Sequence, residues 1–176
     1  SRVVSKQEEI HALLKNIKIY IIADDLVSKR KFKEYFELAE KSPFLTKNEV
    51  HKKILEMSRT ILAKLKESVK ANDFSKAKEL VKFLAPFTNL KVEYQKLNKS
   101  LAARMEFFEA LHKNDINVIF ALAKENMDLR LLKEYDAIEE NFKVLSKKAL
   151  DVAFKADVAA VFKLFEPYKE VTLFED

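Results

Sequence analysis

"ANDFSKAKELVKFLAPF", residues 71–87, decides the fold. The polar break Ala71-Asn72-Asp73 interrupts helix-forming sequence, an apolar stripe follows, and Pro86 closes it. This opening recurs. "ANDFSKAKEL" (71–80), "KNDINVIFAL" (113–122) and "KADVAAVFKL" (155–164) each begin 42 residues after the last. Stepping back by the same interval gives "KRKFKEYFEL" (29–38). Phe32, Phe74, Ile116 and Val158 then share one column, Leu38, Leu80, Leu122 and Leu164 a second, and Leu45, Phe87, Leu129 and Val171 a third.

Between these openings lie longer stripes with helical spacing. They run Val50, Ile54, Met57, Ile61, Leu65, Val69; then Tyr94, Leu97, Leu101, Met105, Phe108, Leu111; then Tyr135, Ile138, Phe142, Leu145, Ala149, Val152. Ile10, Leu13, Leu14, Ile17 and Ile21 give the first, although "IKIYII" (17–22) has the β-branched content of a strand. Each unit is thus a long helix followed by a short one. Asp73, Asp115 and Asp157 stand where a side-chain oxygen takes an orphan backbone N–H of a short helix. Thr46 and Glu49 have capping-box spacing before the second long helix. Pro43, Pro86 and Pro167 end short helices.

The expected architecture is all-α: four long-short antiparallel helical hairpins with a 42-residue period, in units of about 9–50, 51–92, 93–134 and 135–176 within one domain. A hairpin whose stripe cannot be buried alone stacks on its neighbours, as an α-solenoid or a superhelical bundle. The turn and short helix, Asn72-Asp73-Phe74 followed by Ala77, resemble the second half of a tetratricopeptide-type repeat. The resemblance covers about a dozen residues per unit, and the family's first-helix Trp, Leu-Gly and Tyr pattern is missing. It implies protein–protein scaffolding and carries over no binding residues.

Glycine and cysteine are both absent from the 176 residues. Gly-rich phosphate loops, dinucleotide fingerprints and nucleophile elbows need glycine at fixed places. Disulfides, thiolate zinc sites and cysteine nucleophiles fall with cysteine. No apolar run reaches the length of a membrane span, and a cytoplasmic, cofactor-free protein is the expectation. The sequence opens Ser1-Arg2-Val3 and closes with Val171, Leu173 and Phe174 in "PYKEVTLFED". That edge is expected to cap the array, to continue in a larger parent protein, or to self-associate.

Charge is graded along the chain. Residues 1–50 hold 10 basic and 8 acidic side chains, 51–92 hold 10 and 4, 93–134 hold 7 and 7, and 135–176 hold 6 and 9. The candidate partner-binding surface is basic: Lys29, Arg30, Lys31, Lys33, Lys64, Lys66, Lys70, Lys76, Lys78 and Lys82. It suits an acidic protein partner; nucleic acid is the second reading, with steep salt dependence. The bland alternative is that lysine simply fills solvated helix faces. Phe32, Phe74 and Phe83 interleave with these lysines, but they fall on apolar positions, so core is their expected fate rather than base stacking.

Glu8–His11 and Glu109–His112 have the Glu-x-x-His spacing of di-iron bundles. His112, however, sits at the expected end of a helix, where the dipole favours a donor. Glu8–His11 lies near a terminus, and no partner glutamates are marked in the other stripes. His51 stands alone, and Arg104 is spaced too far from His112 for the Arg–His motif of helical ribonucleases. No catalytic set and no metal site is expected.

Overall fold

The computed structural model describes residues 2–155, 157–169 and 171, the side chains of 2–5 excepted. It is all-α, with eight α-helices and no strand among the described residues. Long helices alternate with short ones: α1 (Arg2–Ser28), α2 (Phe32–Lys41), α3 (Glu49–Lys70), α4 (Phe74–Leu84), α5 (Lys91–Lys113), α6 (Ile116–Glu125), α7 (Lys133–Ala153) and α8 (Val158–Phe165). "IKIYII" lies inside α1. Each short helix is followed by a 3-10 segment: Pro43–Lys47, Thr88–Leu90, Met127–Leu131 and Glu166–Tyr168.

The turns between long and short helices explain why the chain reverses without glycine. Arg30, Asn72 and Asn114 take φ of 56°, 56° and 55°, the left-handed region that ends many helices. After each, the next amide reaches back five residues: Lys31 N–H to Leu26 C=O at 2.8 Å, Asp73 to Ser68 at 2.9 Å, Asp115 to Ala110 at 2.9 Å. The left-handed residue's own amide reaches back three, to Val27, Val69 and Leu111. These paired bonds are the Schellman motif, which satisfies carbonyls the helix end would orphan.

Of the short helices, α4, α6 and α8 are capped as expected, whereas α2, with Lys31 at its N-cap position, has no side-chain cap. Carboxylates of Asp73, Asp115 and Asp157 accept the backbone N–H of Lys76, Val118 and Ala160 at 3.1, 3.2 and 3.0 Å. The expected Thr46–Glu49 capping box does not form. Asn48 caps α3 instead, accepting from Val50 N–H at 3.1 Å, while Thr46 donates to Pro43 C=O. Thr46 lies too early in the chain, inside the 3-10 segment that precedes the cap.

The chain divides into two compact units, residues 1–98 and 99–176, with the boundary inside α5. In the first, α2, α3 and α4 enclose an aromatic core. Phe87, 1% exposed, stacks on Phe32 at 4.6 Å and meets Phe36 edge-on at 6.1 Å. Burying one such ring stabilises by about 1.5–3 kcal/mol, and a good ring pair adds about 0.5–1.5 kcal/mol. Phe32 is core as expected and Phe74 half-buried, whereas Phe83 stacks on Phe87 while keeping 41% of its surface exposed. In the second unit, Phe107 and Ala110 of α5, Ile119 and Phe120 of α6, Leu129 and Tyr135 form the core, with Tyr168 and Val171 packed against it. The expected cap or edge at Leu173 and Phe174 lies outside the described residues.

Candidate functional site

The basic excess belongs to the first unit. Residues 1–98 carry 21 basic and 13 acidic side chains, residues 99–176 carry 12 and 15. All ten candidate residues are exposed. Lys29 closes an ion pair with Asp25 at 2.8 Å; the other nine make none among the described residues. Helical geometry gathers some and separates others. Lys29, Arg30 and Lys31 are consecutive in the α1–α2 turn, with Lys33 in the first turn of α2. Lys70 and Lys76 flank the α3–α4 turn. On α3, Lys66 and Lys70 lie on one flank of the buried stripe and Lys64 on the other, at about 100° per residue. Lys78 and Lys82 face outward on α4, opposite buried Ala77 and Leu84.

Periodicity gave no hint of the buried polar pair in this unit. His51, 8% exposed at the start of α3, places Nδ1 3.1 Å from the Tyr35 hydroxyl of α2, and Phe36 packs edge-on against its ring. Burial lowers the His51 pKa and raises that of Tyr35. Both shifts favour neutral groups, which suits a core hydrogen bond more than a charged catalytic pair. A cavity of about 200 Å³ lies on the Tyr35 side, lined also by Tyr20, Asp24, Leu45 and Asn48. Another of about 230 Å³ lies on the His51 side, lined also by Phe36, Glu40, Thr46 and Asn89.

Each Glu-x-x-His pair has one member with a partner outside the pair. Lys113 pairs with Glu109 at 2.6 Å and holds its carboxyl below the usual range. His112 is exposed in the last turn of α5. His11 Nδ1 lies 3.3 Å from Gln7 C=O on exposed α1. Among the described residues no three His, Cys, Asp or Glu side chains gather as a metal would need. Nor is any described helix long and apolar enough to cross a membrane.

The first apolar stripe departs most from expectation. Ile10, Leu13, Leu14, Ile17 and Ile21, read from sequence as core, are 51–64% exposed. α1 instead packs through the side bearing buried Ala23, with Leu26 and Val27 half-buried. Its mid-section is therefore apolar on two faces, only one of which is covered among the described residues. In the second unit, Leu150, Phe154, Val158 and Phe162 are also exposed, at 62–87%.

No family model, curated protein or solved structure matches the chain.

Proposed function

We propose that the chain is a divergent TPR-like array of helical hairpins, of the α-solenoid type, serving as a non-catalytic interaction scaffold or spacer. The repeat reading rests on like geometry at like spacing. Left-handed residues 30, 72 and 114, capping aspartates 73, 115 and 157, and buried Ala23, Leu65, Phe107 and Ala149 each recur every 42 residues. Sequence similarity between units is slight, so shared backbone conformation is the stronger support.

One observation carries the functional reading: all ten candidate cations in residues 1–98 are exposed, and nine of them have no ion-pair partner among the described residues. Unpaired surface lysines accelerate encounter with an acidic partner and set its register. The same charge supports nucleic acid as the second reading. Affinity capture from lysate, with and without nuclease, separates them when run beside a Lys29→Glu/Arg30→Glu/Lys31→Glu chain. The scaffold reading expects a protein retained after nuclease and lost on charge reversal. Protein recovery that vanishes with nuclease, alongside bound nucleic acid, selects the second reading. A retained partner indifferent to the reversal removes the basic surface from the function.

A further inference from the structure

We propose that the uncovered face of α1 is a self-association surface, occupied by α1 of a second copy running antiparallel. Ile10, Leu13, Leu14, Ile17 and Ile21 fall within about 100° of arc on the helix, a continuous aliphatic stripe about three turns long. Tyr20 borders it, 41% exposed.

Comparison with the later long helices marks the stripe as unusual, on the 42-residue reading above. The positions matching Ile10, Leu14, Ile17 and Ile21 are Lys52, Glu56, Arg59 and Ala63 in α3, and Asp136, Glu140, Lys143 and Lys147 in α7. Leu13 is matched by half-buried Leu55 in α3 and by Glu139 in α7; at the other four positions both helices meet water, with polar residues everywhere but Ala63. In α5 the matching residues include Leu101, and there the apolar residue is buried. Among the described residues, only α1 presents this face to solvent as an aliphatic stripe.

Charge selects the occupant and its direction. Lys6 and Asp24 bracket the stripe, both exposed and neither in an ion pair among the described residues. They are 18 residues apart, five helical turns, so they share the stripe's face. An antiparallel copy related by a two-fold axis opposite Lys15 sets each Lys6 over the partner's Asp24. A parallel copy would set Lys6 on Lys6 and Asp24 on Asp24. Two-fold pairing of one patch with itself is also the commonest way soluble chains associate. Six half-exposed side chains bring about half of the ~800 Å² per partner that a standard interface takes. Flanking stems such as Lys18 must supply the rest, which points to a reversible dimer.

Sedimentation velocity on the purified full chain, over a wide concentration range, tests this without the scaffold's own partner, so failure here leaves the proposed function standing. The expected result is a monomer–dimer equilibrium weakened at least about tenfold by Ile17→Glu. Leu13→Lys is the second variant, with circular dichroism confirming the helices of both. Lys6→Asp should weaken association, and adding Asp24→Lys to the same chain should restore it. A chain monomeric throughout, or a dimer indifferent to both stripe variants, overturns the surface. Failure of Asp24→Lys to restore overturns the antiparallel arrangement. Binding to anionic vesicles that is lost in Ile17→Glu, with no dimer in solution, assigns the face to a lipid surface instead.

Discussion

The sharpest residue-scale consequence concerns His51. Its ring packs against Tyr35 and Phe36, and burial holds its pKa below the ordinary value near 6.5. The unfolded chain, with an ordinary histidine, therefore binds the proton first. Where the unfolded state holds more protons, stability rises with pH. The contribution of His51 is present in full above about pH 6.5 and is lost as pH falls through the lowered folded value. Chemical denaturation between pH 7 and pH 5 should show stability declining, ahead of the carboxylates. His51→Gln offers Tyr35 a polar partner but does not titrate, so that decline should flatten. An unchanged slope would place the proton uptake elsewhere. None of this was legible in the sequence, where His51 looked solitary. Its partner is 16 residues away on another helix, and periodicity does not report such pairings.

At the scale of the element, the helix ends divide into those the sequence shows and those it hides. Asp73, Asp115 and Asp157 were legible because an acidic residue just before an apolar helical run has few other uses there. The left-handed residues 30, 72 and 114 were not, since only Asn72 and Asn114 belong to types that visit that region readily. Arg30 adopts the same φ without a local side-chain reason. For an ordinary L-residue this conformation costs about 1–2 kcal/mol. Glycine removes that cost and returns about 0.5–1 kcal/mol in backbone entropy. Arg30→Gly should therefore stabilise the chain by about 0.5–1 kcal/mol in equilibrium denaturation. Asn72→Gly and Asn114→Gly should change it by less than about 0.5 kcal/mol. A destabilised Arg30→Gly chain would mean that the arginine side chain makes a contact stronger than the strain it tolerates. The stripe on α1 marks the opposite limit of sequence reading. Spacing shows which residues share a face, but not whether anything covers it.

For the whole molecule, alternation of long and short helices was readable because Asp73, Asp115 and Asp157 recur at a regular interval, with prolines closing three of the short helices. The division at residue 98 was not, because it falls inside α5, where the sequence carries no break. Quasi-one-dimensional arrays are stabilised by contacts within a unit and to its neighbours, so damage to one unit is felt locally first. Leu65 and Phe107 occupy matching positions in successive long helices, both 0% exposed, one in each compact unit. Truncation to alanine removes buried contacts and leaves a cavity, costing about 2–5 kcal/mol at a Leu and about 3–5 kcal/mol at a Phe. Hydrogen exchange read by mass spectrometry should then separate the two changes. Leu65→Ala should accelerate exchange chiefly within residues 1–98, with Phe107→Ala doing so chiefly within 99–176. Equal acceleration throughout for both variants would show that the chain opens as one cooperative body, with the compactness of its halves having no counterpart in their stability. Confined effects would instead allow the basic unit to present its lysines while the other unit opens, as the proposed spacer role requires.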